Sequence, residues 1–136
     1  MKKNNFRIYK GKIKKEKFKL TKNNIKRFSI ITLDKHPLHT NLAYAKEKGF
    51  EDIIVQGLFL SSLAVGQITD KLIGTKTLII AQDFNYHIPI YVNNEFLISS
   101  QIKDINLKFK IALIEVKIII AKKLHASGNI RVKIQK

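Results

Sequence analysis

A chain of 136 residues without cysteine can form neither a disulfide framework nor a thiolate metal site, and its length suits one domain with a sizeable core. The formal charge of +16 invites a polyanionic partner, yet of the 26 basic residues only Arg7, Arg27 and Arg131 are arginine. Phosphate and base recognition draws on arginine's bidentate fork, so this lysine-rich composition argues against a nucleic-acid partner.

Residues 1–13 form a basic lead-in to a single domain covering 1–136. No apolar signal-peptide core follows Met1-Lys2-Lys3-Asn4-Asn5, which leads to the expectation of a cytoplasmic protein. The stretch from Lys14 to Leu20 alternates near its end, with Phe18 and Leu20 on one face of a half-buried strand. Thr21 is a natural N-cap for the next segment, a short helix that groups Ile25, Phe28 and Ile31 on one side. Asn41 caps a second short helix through Lys48, and Gly49 terminates it.

The longest uncharged run, residues 53–69, contains Gln56, Gly57, Ser61, Ser62, Gly66 and Gln67. It falls short of the ~20 mostly apolar residues of a spanning helix. It reads instead as a long central helix opening at Gly57 and ending between Asp70 and Gly74, apolar on nearly all sides and wrapped by sheet, with no membrane association. Strands follow: one begins at Thr77-Leu78-Ile79-Ile80-Ala81 and is continued by Pro89-Ile90-Tyr91-Val92, then Asn93-Asn94 turns. Another runs from Phe96 to about Lys103. From Ile105 to Ile120 the apolar alternation slips phase by one residue, which demands a turn or bulge inside the stretch. Lys122-Lys123 turns the chain into a last strand carrying Ile130, Val132 and Ile134. The class is α+β: a mainly antiparallel sheet wrapped around one long helix.

Between the two short helices lies Asp34-Lys35-His36-Pro37-Leu38-His39-Thr40. Pro37 lacks a backbone donor and pushes His36 out of the α region, so an irregular loop is expected here, from which Asp34 and His39 both turn into one pocket. This loop resembles the Asp-x-(Asn/His)-Pro-(Leu/Ile)-His signature of the MaoC-like, (R)-specific enoyl-thioester hydratases, a family with the hot-dog fold. The likeness continues through Ala43-Tyr44-Ala45-Lys46, Gly49-Phe50, Ile54-Val55-Gln56-Gly57-Leu58 and Ser61-Ser62-Leu63.

The resemblance implies a hydro-lyase acting on an α,β-unsaturated thioester of coenzyme A or acyl carrier protein. It implies Asp34 and His39 as the acid–base pair around one water, and Gly57 as the backbone donor to the developing oxyanion. It makes Ser62, Gln56 and His36 supporting or substrate-binding residues. It also implies a homodimer joined through the sheets. The chemistry calls for no cofactor and no metal. Three positions depart from the family pattern: Gln56 stands where His is usual, Asn41 where Asp is usual, and His36 where Asn is commoner.

Other readings use the same residues. Asp34, His36 and His39 have the ligand types of a two-His-one-carboxylate metal site, but Pro37 breaks the helix that would align them. A hot-dog thioesterase would use a carboxylate to direct water at the carbonyl carbon. A non-catalytic basic protein would bind nucleic acid or an acidic partner, and a catalytically dead hot dog would keep the loop for packing alone. His87 and His125 fall in strand-like segments and read as structural, and the aromatics Phe18, Phe28, Phe84, Tyr86, Phe96 and Phe109 read as core rather than as a base-stacking platform.

Overall fold

In this computed structural model residues 7–135 are described; Met1-Lys2-Lys3-Asn4-Asn5, the start of the basic lead-in, lies outside the described residues. The alternating stretch is strand β1 (Ile13–Lys19), in which every second side chain is half buried. Thr21 caps helix α1 (Lys22–Thr32) through a reciprocal capping box: its hydroxyl accepts the Asn24 N–H, and Asn24 Oδ1 accepts the Thr21 N–H.

The expected inner face of α1 needs correction. Ile25 and Ser29 are buried and Phe28 half buried, whereas Ile31 is 81% exposed. Six residues at about 100° each carry Ile31 roughly 120° around the helix from Ile25, so the true stripe is i, i+3, i+4. Phe28 meets the core by stacking on Phe59, ring centroids 4.5 Å apart.

The chain leaves α1 through Leu33 in the left-handed region, φ 64°. A one-turn helix α2 (Pro37–Thr40) and a short helix α3 (Leu42–Glu47) follow. Asn41 caps α3 by accepting the Tyr44 N–H, and Gly49 ends it at φ +88°, as its sequence position implied. Helix α4 (Gly57–Gln67) runs on without a break into a wider π-helical turn, Ile68–Leu72, and the rod stops at Gly74. Among its residues Leu60, Ala64, Ile68 and Leu72 are fully buried. One face, Leu58, Ser62 and Gly66, stays open, with Leu58 55% exposed, so the expected all-round wrapping is incomplete.

Strands β2 (Thr77–Tyr86), β3 (Glu95–Asn106), β4 (Ile111–Ile120) and β5 (Lys123–Ile134) complete one antiparallel sheet in the order β1-β3-β4-β5-β2. The inward residues of β4 and β5, among them Ile114, Val116, Ile130 and Val132, pack with the helix in one core. A buried polar pair pins the two layers: Gln67 Nε2 donates to the Ile98 carbonyl (3.2 Å) and Ser100 Oγ donates to Gln67 Oε1 (2.7 Å). This is the helix-in-sheet arrangement expected of a hot dog.

Two strand assignments shift. The phase slip between Ile105 and Ile120 resolves into a turn over 107–110, with Lys110 at φ 55°, plus a bulge at Ile118/Ile119; a further bulge at Ile102/Asp104 precedes it. The segment expected to form a strand at Pro89–Val92 makes only a single bridge, Tyr91 to Ile54. Pro89 offers no N–H, and the N–H groups of His87 and Ile88 both turn to the His125 carbonyl, so no continuous ladder is possible there.

Candidate active site

The Pro37 turn brings the site together. Expected to be irregular, it is instead a single helical turn, because proline is tolerated at the first helical position, where its missing N–H is not needed. His36 caps that turn in the extended conformation (φ −57°, ψ 132°), its Nδ1 accepting the Leu38 N–H. The turn is then tied to the stretch before α4 twice. Ile54 N–H donates to the Leu38 carbonyl (3.0 Å), and His39 Nδ1 lies 2.6 Å from the Ile54 carbonyl. That stretch is held in its turn by Val55 N–H to the Ile90 carbonyl and Val92 N–H to the Ile53 carbonyl. The loop, the helix start and the 87–92 crossing are thereby one backbone-bonded unit.

The contact at His39 settles its tautomer. A carbonyl only accepts, so Nδ1 carries the hydrogen, and in the neutral ring the Nε2 lone pair is free. Nε2 faces Asp34 Oδ2 at 3.8 Å. That is too long for a direct hydrogen bond and short enough for one water to touch both atoms. The His39 side chain is 15% exposed and that of Asp34 45%, so the imidazole is held while the carboxylate meets solvent. Asp34 Oδ1 also lies 3.4 Å from the His36 N–H. Among the described residues no three His, Cys, Asp or Glu side chains are grouped to hold a metal ion.

His39 lines a cleft of about 230 Å³ together with Ile54, Val55, Gly57, Leu60, Tyr86, Ile88, Pro89 and Ile90. Gly57 is the first residue of α4, and the leading N–H groups of a helix have no acceptor within it, so the cleft has a donor end with a favourable dipole. A Cβ on residue 57 would sit 2.8 Å from Tyr86 Cζ, so the close approach of that ring requires glycine here.

The supporting residues fare differently. Gln56 is 1% exposed and faces α1: its Nε2 donates to the Ile25 carbonyl (3.0 Å) and to Ser29 Oγ (2.9 Å). It locks the start of α4 onto α1, the helix that leads to Asp34, and does not line the cleft. Ser62 lies on the open face of α4 with its hydroxyl donated to the Leu58 carbonyl (2.7 Å), and it does not line the cleft either. His36 packs edge-on to Tyr44 and His39, ring centroids 6.2 and 6.0 Å apart. Sequence reasoning missed Tyr86 as a cleft residue. It took the ring as core, but Tyr86 is 48% exposed, ends β2 and covers Gly57.

The profile of the MaoC-like domain matches residues 6–123, most of the chain. The chain belongs to the MaoC-like domain family. As a MaoC-like domain it is 32% identical over 68 residues to an (R)-specific enoyl-CoA hydratase of Aeromonas caviae, covering 50% of this chain and 51% of that protein. It is also 30% identical over 74 residues to a mitochondrial 3-hydroxyacyl-acyl-carrier-protein dehydratase of Solanum lycopersicum, covering 54% of this chain and 44% of that one. The matches thus span about half the length of these curated relatives. In structure the chain superposes on an (R)-hydratase from A. caviae involved in PHA biosynthesis with a TM-score of 0.89 at 23% identity. That alignment covers 93% of this chain and 97% of the other, a likeness that establishes the hot-dog fold.

Proposed function

We propose that this MaoC-like domain adds water to, or removes it from, an α,β-unsaturated acyl thioester carried by coenzyme A or acyl carrier protein. The observation that carries the reading is His39 Nε2, which faces Asp34 Oδ2 across 3.8 Å while its ring lines an apolar cleft that begins at a helix N-terminus. Such a pair holds a water between a base and a carboxylate. As the water oxygen bonds to Cβ, Nε2 takes one of its protons, and Asp34 steadies the imidazolium that forms. The electron pair of the C=C bond moves towards the thioester carbonyl, whose growing charge is met by the Gly57 N–H. Return of the proton from Nε2 to Cα completes the addition, and dehydration is the reverse. No electrons enter or leave, so the reading uses no redox cofactor, and the proton transfers do not require a metal.

Lys35, Lys46 and Lys48 are exposed on the same loop and on α3, where carrier phosphates or an acidic carrier can reach them. The test is a hydration assay over crotonyl-CoA and longer and branched enoyl-CoA esters, with free thiol followed in parallel. Hydration without thiol release is expected. Thiol release alone would select the thioesterase reading, and no turnover of any ester would leave the basic binding protein.

The homodimer implied by the resemblance belongs to this proposal. β2 is an edge strand carrying exposed Leu78, Ile80 and Tyr86, and edges of that kind are normally paired or covered. The expected solution mass is twice the 15.7 kDa of the chain. A monomeric mass at micromolar concentration with full activity would contradict it.

A further inference from the structure

Tyr86 is the aromatic residue of the cleft, and the catalytic reading leaves it without a task. Its ring comes from the far end of an edge strand and lies with Cε1, Cζ and Cε2 within 3.1 Å of where a Cβ on Gly57 would be. Phe84 stacks behind it, ring centroids 6.3 Å apart and planes 16° from parallel, which fixes its tilt. Beyond His87, Ile88, Pro89 and Ile90 continue along the rim of the same cleft. The ring therefore forms a wall beside the donor end, held by an aromatic neighbour and half open to solvent on its outer side.

We infer that the Tyr86 ring sets the acyl-chain length this cleft accepts and confines it to short chains; the inference rests on the acyl-thioester reading above. The size of the cleft supports this. About 230 Å³, at the roughly 30 Å³ that one water takes in the liquid, is room for on the order of eight small-atom sites. A thioester carbon, oxygen and sulfur take three of these, leaving an acyl group of about six carbons in all by the same count. Away from His39 and Gly57 the lining is Ile54, Val55, Leu60, Ile88, Pro89 and Ile90, which suits an alkyl chain. Shortening the side chain takes the wall away, whereas the phenol hydroxyl is not needed for it.

The experiment is an affinity ladder measured by titration calorimetry with butyryl-, hexanoyl-, octanoyl- and decanoyl-CoA, saturated esters that cannot be hydrated. It compares wild type, Tyr86→Phe and Tyr86→Ala, each checked by thermal melting. Every methylene that enters an apolar cleft gains about fourfold in affinity, the equivalent of ~0.8 kcal/mol, and one the pocket cannot take loses roughly 10–200-fold against the best fit. Wild type and Tyr86→Phe are expected to peak at hexanoyl-CoA or below, and Tyr86→Ala to keep rising to octanoyl-CoA or beyond. Because the slope is read within each protein, a difference in folded fraction cancels. A ladder with the same peak in wild type and Tyr86→Ala overturns the inference and leaves hydration untouched. A peak that moves in Tyr86→Phe as well assigns the effect to the hydroxyl and overturns it too. Absence of binding by wild type overturns it together with the acyl-thioester reading, whereas a shifted peak without hydration of any enoyl ester supports the wall and sinks only the catalysis.

Discussion

Asp34→Asn and His39→Ala are each expected to lower hydration by about 10²-fold or more, the contribution of one positioned acid–base group. The two variants differ in stability, which makes the comparison informative. Among the described residues the Asp34 carboxylate accepts from the His36 N–H and faces His39 across the gap, and an asparagine oxygen can replace it at the former. Its melt should match wild type. His39 also satisfies the Ile54 carbonyl, so His39→Ala leaves that acceptor without its donor and is expected to lose about 1–3 kcal/mol of stability as well. If both groups act on one water, the double variant loses little more than either single one. Steady-state hydration of crotonyl-CoA, normalised to folded protein, checks this. A well-folded variant of either kind with wild-type turnover removes the pair from the mechanism.

The parts of this site that were legible in the sequence are those decided within a few residues. Pro37 biases only its immediate neighbours, so the extended His36 and the facing of Asp34 and His39 could be read from the order of seven residues, whereas the shared pocket could not: His39 lines the cleft and Asp34 does not. The caps at Thr21 and Asn41 and the stop at Gly49 are equally local. What escaped was settled across the fold. Tyr86 reaches Gly57 only because β2 sits at the edge of a sheet whose strand order no local pattern reveals. Gln67 meets Ser100, and Gln56 meets Ser29, because two layers pack; a polar residue in an apolar run carries no address for its partner. The face of α1 went astray for a smaller reason: three apolar residues at intervals of three drift around a helix of 3.6 residues per turn, and Ser29 was the better fourth contact. Pro89–Val92 has a β-rich composition, but the missing proline donor outweighs it and leaves a single bridge.

Gly57→Ala separates two reasons for the glycine. One is packing, since the added methyl group would meet the Tyr86 ring at 2.8 Å and must push it aside. The other is catalysis, since a methyl group beside the leading N–H of α4 hinders the thioester carbonyl from reaching its donor. Stability should change little: the half-exposed far end of the Tyr86 ring can shift slightly while staying against Phe84, and alanine is the better helix former by up to about 1 kcal/mol. Activity is expected to fall by about 10²–10³-fold, the usual loss when an oxyanion donor is disabled. Placing Tyr86→Ala in the Gly57→Ala background then decides between the two. If the ring alone demands glycine, removing it restores turnover to the level of Tyr86→Ala. If the carbonyl demands it, the double variant stays as slow as Gly57→Ala, because the obstructing methyl group is still beside the N–H. The second result is expected, and full recovery would leave Gly57 a packing residue and move the oxyanion donor elsewhere.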